Sequence, residues 1–215
     1  MRDGLTVARE LIGKKLVTNL RDGLTSGIIV ETEAYMGKLD AAAHSYKGLT
    51  ERTKIFYGAG GFVYVYLIYG RNLCTNVVAN VENVPEAVLI RAIEPVDGIE
   101  LMKIRRGKQN LRDLCSGPGK LSQALGVTKD FYGADLCGDR FKSGRTTDAI
   151  DVVDVQTSSP RSNVTKNFYG GEIFIEATDV QFQVAATKRI NVDYAGEAAN
   201  YPWRFVAVGN KFVSK

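Results

Sequence analysis

Two runs rich in β-branched and aromatic residues, Phe62 to Ile68 and Leu73 to Ala79, are separated only by Tyr69-Gly70-Arg71-Asn72. So short a connection has no room for the crossover that parallel strands need, and the pair reads as an antiparallel hairpin. Leu16 to Leu20 and Thr25 to Ala34 repeat the pattern around Arg21-Asp22-Gly23, and Ala87 to Glu94 is another strong strand. Later strands are predicted at Gly171 to Glu176, Val180 to Ala185 and Trp203 to Val208. Strands outnumber helices and often follow one another directly. The expected fold class is therefore α+β: a mixed, largely antiparallel, curved β-sheet flanked by helices, with a protruding β-hairpin.

Thr6 is placed to cap a short helix, Val7 to Ile12, that Gly13 would end. Pro95-Val96-Asp97 opens a second, with Asp97 and Glu100 as a capping pair and an end near Gly107. Pro118 to Leu125 is a third, stopped by Gly126. From Gly138 to Lys166 the chain is polar and weakly periodic, apart from Ala149 to Val155. With 215 residues and 45% hydrophobic content there is enough apolar surface for one substantial core, and no repeat or linker divides the chain. A single domain, 1–215, is expected.

Several chemistries are disfavoured early. Cys74, Cys115 and Cys137 are odd in number and form no C-x-x-C pair, which argues against a disulfide framework or redox motif and for a reducing compartment. Together with His44, the only histidine, they are too scattered for a structural zinc site, so no metal and no cofactor are expected. Neither a signal-type apolar core nor a stretch long enough to span a bilayer is present, so the protein is expected to be soluble and away from membranes. CSGPGKL (Cys115 to Leu121) resembles a phosphate loop but has Leu114 where Gly is needed and Leu121 where Ser or Thr is needed. What survives there is Ser116, Gly117 and Lys120 at a helix start, suited either to ordinary capping or to one backbone phosphate.

The net charge of +4 permits nucleic-acid binding without requiring it. Lys103, Arg105, Arg106, Lys108, Arg112 and Lys120 face the single acid Asp113 between Met102 and Lys120, a run that reads as a solvated helix face or as a basic flank for a polyanion. The acidic counterpart is VETEAYMG, Val30 to Gly37. If that strand stays extended, Glu31, Glu33 and Tyr35 share one face, as the lining of a cleft would. His44 follows nine residues after Tyr35 and reads as a core histidine or a stacking platform. Of the tyrosines in FVYVYLIYG, Tyr64 reads as core, while Tyr69 stands at the exposed hairpin tip as a candidate wedge. Carboxylates, an imidazole and aromatic rings so close in sequence suggest chemistry on a flat heteroaromatic ring.

The chain resembles the alkyladenine (3-methyladenine) DNA glycosylase family, monofunctional purine-lesion type. The likeness runs through ARELIGKKLV, VETEAYMG, Ala42 to Ser45, Tyr64 to Asn76, Val88 to Pro95, Leu114 to Gly126 and Pro202 to Phe205. It implies that Glu33 is the general base, that Tyr35, His44 and Tyr66 enclose a flipped base, and that Tyr69 intercalates. It also implies that Asn76 filters the purine edge, that Arg91 lies near the water, and that Thr50, Arg52, Arg71, Gly117 and Lys120 approach the DNA backbone. The implied partner is duplex DNA containing damaged purines, met by a monomer in the nucleoid or nucleus. Rival readings are a non-catalytic damaged-DNA-binding module and a nucleotide-handling enzyme built on the Gly-Lys loop.

Overall fold

The computed structural model describes residues 2–68, 70, 72–136 and 171–214. Among them, eight strands join one sheet: β1 (Lys15–Leu20), β2 (Gly23–Tyr35), β3 (Val63–Ile68), β4 (Asn72–Ala79), β5 (Glu86–Pro95), β6 (Glu172–Glu176), β7 (Val184–Thr187) and β8 (Arg204–Ala207). The order runs β3-β4-β5-β2-β1-β6, with β8 beside β2 and β7 outside β8. Each of these pairings is antiparallel.

The 13-residue β2 explains the curl. One of its edges pairs with β5 from Gly27 to Tyr35, while the other is divided between β1, up to Ile28, and β8, from Glu31 to Glu33. Dividing one edge between two partners folds the sheet into an antiparallel half-barrel, so the α+β expectation holds. Burial falls away along β3 and β4 toward their turn, where Leu67 is exposed, as in a hairpin that projects from the body.

Period-two alternation separates the two faces of this sheet. Val63, Val65, Val77, Ala79, Val88, Ile90, Ala92, Val30 and Ala34 belong to the main core with the helices. Their neighbours along the strands, Tyr64, Tyr66, Asn76, Leu89, Arg91, Glu33 and Tyr35, point to the opposite face. The register between β2 and β5 shifts on either side of Glu31 and recovers at Thr32, so this parity survives.

Among the described residues, four α-helices cover the core face: α1 (Gly4–Glu10), α2 (Ile99–Arg106), α3 (Arg112–Cys115) and α4 (Pro118–Ala124). The first begins one turn earlier than predicted, because Asp3, not Thr6, is the cap: its carboxylate accepts from Thr6 N at 2.9 Å. Gly4 N then donates to the buried Glu86 carboxylate at 2.7 Å, which ties the helix to β5. The predicted Asp97–Glu100 capping pair does not form. Gly98 caps α2 at φ 69, since a Cβ there would lie 2.2 Å from Leu24 O, and the Asp97 carboxylate accepts from Ser26 Oγ instead. Gly107, also left-handed, ends α2 as expected, and α4 stops before Gly126.

Part of the basic run is used inside the fold. Arg105 donates to Asp22 at 2.7 Å, Thr25 at 3.2 Å and Ala124 O at 3.1 Å, and Arg106 donates to Leu114 O at 3.1 Å. These arginines fasten α2 to its neighbours and are not a free flank. The strand predicted from Val180 begins only at Val184, because residues 177–183 wrap the end of α1: a Cβ on Gly13 would lie 2.7 Å from Val180 O. The stretch Ala149 to Val155, set apart from its polar surroundings by sequence, lies outside the described residues, as does Cys137.

Candidate active site

Register alone assembles much of the site. Tyr64 pairs with Asn76, Asn76 with Leu89 and Leu89 with Glu33, one row across four strands. Adjacent rows set Tyr66 opposite Cys74 and Tyr35 opposite Ala87. On a flat sheet the ends of the four-strand row would stand about 14 Å apart. The curl turns their side chains inward, so that the charge of Glu33 bears on the phenols of both Tyr35 and Tyr66.

Glu33 is the centre of this arrangement. Its Oε2 accepts from the Tyr35 hydroxyl at 2.9 Å and from Arg91 Nη1 at 3.3 Å, and its Oε1 accepts from Ile190 N at 2.8 Å. It has no exposed surface. The open cleft expected at this carboxylate is therefore absent in this conformation. The reason is tertiary: the segment around Ile190 covers the face that local alternation would leave open. Burial, then the negative charge of Glu33, holds the Tyr35 phenol well above its usual pKa, so it is a donor across the ordinary pH range.

Glu31, the other acid of the motif, has a different role. Its carboxylate accepts from Arg91 Nε at 3.0 Å, Arg204 Nε at 2.7 Å, Ser214 N at 2.6 Å and Ser214 Oγ at 2.8 Å. Four donors from β5, β8 and the chain's last residues make it a tertiary junction. Arg91 bridges the two acids, Nε to Glu31 and Nη1 to Glu33.

Rings form one wall. His44 meets Tyr66 edge-on at 4.6 Å between centroids, and Tyr66 stacks on Tyr64 at 5.4 Å. Tyr64 is buried, as predicted. Arg52 Nε donates to the Tyr64 oxygen at 3.0 Å, and the same hydroxyl lies 3.1 Å from His44 Nδ1. Burial of the ring, then the Arg52 charge, pulls the His44 pKa down to about 4, so the ring is neutral near pH 7. His44 is thus a partly open, neutral ring and not a core histidine. Asn76 is buried and donates through Nδ2 to Tyr64 O at 3.1 Å.

The expected backbone contacts are less uniform. Arg52 is drawn into the ring wall, its guanidinium 5.4 Å from the Tyr66 centroid, because Tyr64 offers it an acceptor. Thr50 is exposed and bonded to Thr53 at 2.8 Å. Gly117, at φ 151, precedes α4, where Lys120 Nζ lies 3.4 Å from Ser116 Oγ. A Cβ on Gly119 would meet Asn72 at 2.7 Å, so this helix start abuts the turn end of the hairpin. Tyr69 and Arg71 lie outside the described residues.

Sequence reasoning missed four participants. Ile190 N contributes through the backbone, which no side-chain pattern reveals. Arg189 and Asp40 form a buried ion pair against Tyr35, and neither belongs to a periodic run. Trp203 lies with its ring centroid 5.1 Å from the Arg189 guanidinium carbon, and the PWRF motif by itself gives the indole no role.

The site is thus a buried carboxylate flanked by aromatic rings within an antiparallel half-barrel. The chain belongs to the methylpurine-DNA glycosylase family, a DNA-repair family whose sequence model, described as Methylpurine-DNA glycosylase, matches residues 1–211. A protein of Alkaliphilus oremlandii is 42% identical over 224 residues, covering 100% of this chain and 95% of its own. Proteins of Bacillus cereus and Bacillus thuringiensis are 45% and 44% identical, each over 221 residues, 99% of this chain and 95% of theirs. All three bear the name "Putative 3-methyladenine DNA glycosylase".

Proposed function

We propose that this protein is a base-excision DNA glycosylase for alkylated or deaminated purines in duplex DNA, the class of 3-methyladenine, 7-methylguanine, hypoxanthine and ethenoadenine. Supporting this reading most directly is the meeting of Glu33 with Tyr35 and Arg91 beside the ring wall of His44 and Tyr66.

The target nucleotide is rotated out of the stack at a cost of a few kcal/mol, less for a damaged base. Tyr69, at the hairpin tip, fills the gap. Stacking against Tyr35, His44 and Tyr66 returns roughly 1–3 kcal/mol per ring contact. A neutral His44 does not repel a cationic purine, and Asn76 limits what fits along the purine edge. Thr50, Arg52, Arg71, Gly117 and Lys120 hold the backbone, with Arg52 leaving its place on Tyr64 to do so.

The incoming base displaces the Tyr35 hydroxyl from Glu33, and water takes the vacated side of the carboxylate. Glu33 accepts the proton as the water oxygen bonds to the sugar carbon, and the glycosidic electron pair departs with the base. Arg91 keeps the carboxylate aligned. None of the residues gathered at the site is a lysine, so hydrolysis leaves an abasic site without strand cleavage through an imine. No cofactor is required.

The test is release of free base from duplexes carrying a single hypoxanthine or 7-methylguanine under single-turnover conditions. Glu33→Gln is expected to bind the lesion and release nothing; full excision by that variant refutes the base assignment. The closed state of Glu33 favours a second reading, a damaged-DNA-binding module without turnover. Wild-type protein that binds these duplexes and frees no base would establish it.

A further inference from the structure

Arg189 sits behind the Tyr35 ring, and the chemistry above makes no use of it. It and Asp40 have no exposed side-chain surface. Nη1 donates to Asp40 Oδ2 at 2.5 Å and Ala34 O at 3.0 Å, while Nη2 donates to Asp40 Oδ1 at 2.8 Å and Ala198 O at 3.0 Å. The guanidinium carbon lies 4.8 Å from the Tyr35 centroid and 5.1 Å from that of Trp203. Among the described residues its Nε makes no hydrogen bond, so it acts through its faces as well as its forked end. With one face of Tyr35 taken, a base can stack only on the other.

We propose that Asp40 and Arg189 form a charge-balanced backing to Tyr35 that sets how the site ranks cationic against neutral purines. This rests on the functional reading above. An aromatic face attracts a cation, but a bare guanidinium behind the ring would oppose it. Adding a stacking distance of roughly 3.5 Å to the 4.8 Å behind the ring puts the two charges about 8 Å apart. At an effective dielectric of about 20, that repulsion disfavours a cationic base by roughly 30-fold. The bidentate Asp40 carboxylate cancels most of it. A neutral base is indifferent to either charge.

Balance gives each substitution its own sign. Asp40→Asn unmasks the cation, so the rate of 7-methylguanine release relative to hypoxanthine is expected to fall roughly 10- to 30-fold against wild type. Arg189→Gln leaves the carboxylate alone and is expected to raise the ratio. The double variant, with both charges gone, is expected to return to within about threefold of wild type. Purely structural damage slows both lesions together and leaves the ratio unmoved.

Asp40 also accepts from Met36 N at 3.1 Å and Ala42 N at 3.0 Å, so circular dichroism melting is needed to identify the folded variants. Any one that folds decides the matter. Ratios within threefold of wild type in every folded single variant overturn the inference while sparing the functional reading; wild-type protein that releases neither base overturns that reading itself. The unsubstituted protein gives an independent check through inhibition by nucleosides. Cationic 7-methylguanosine is expected to inhibit at least as strongly as neutral inosine, and a tenfold preference for inosine refutes a balanced backing.

Discussion

Tyr35→Phe probes how a sealed carboxylate becomes usable. The phenol donates to Glu33 at 2.9 Å, and Glu33 has no exposed surface through which water could replace that donor without rearrangement. A hydrogen bond to a charged group contributes about 1.5–3 kcal/mol. Ile190 N and Arg91 remain, so the carboxylate keeps two of its three donors. A loss of about 2 kcal/mol lowers the melting midpoint of a chain this size by roughly 4–8 °C. The Arg189 contact depends on the ring and not on the hydroxyl, so stacking is preserved. If the phenol must leave Glu33 before water enters, its removal should keep single-turnover base release within a few-fold of wild type. Paired thermal melts and single-turnover excision of hypoxanthine measure both quantities. An unchanged midpoint together with excision as poor as that of Glu33→Gln refutes the reasoning, because Tyr35 would then be an active participant and not a removable cover.

Two further expectations follow from the same geometry. Glu31→Gln breaks a buried junction that includes Arg91 and Arg204, and it should cost on the order of 3–5 kcal/mol in urea unfolding; near-native stability with lost excision would instead transfer the base role to Glu31. For His44, the folded-state pKa of about 4 lies below the ordinary 6.5, so the unfolded chain takes up the proton first. Its contribution is fully present above pH 6.5, declines as pH falls toward 4 and then levels off. The midpoint difference between wild type and His44→Gln, followed across that range, should carry this slope, and a flat difference refutes the assignment.

Local chemistry carried much of this protein in plain view. Strand alternation sets Glu33 and Tyr35 together on one face, and the four-residue connection after Ile68 dictates an antiparallel hairpin. Both depend only on near neighbours, so a linear reading recovers them. Tertiary structure decided what each polar residue does. Glu31 and Glu33 are indistinguishable by pattern, and they part because Arg204 and Ser214 reach one while Ile190 N reaches the other. Asp40 and Arg189 meet from 149 positions apart, and Gly98 takes over from Asp97 as a cap because Leu24 crowds it. Contacts between distant segments, and the burial they impose, have no signature in local periodicity; they exist only once the sheet has curled and the chain beyond residue 171 has closed over it.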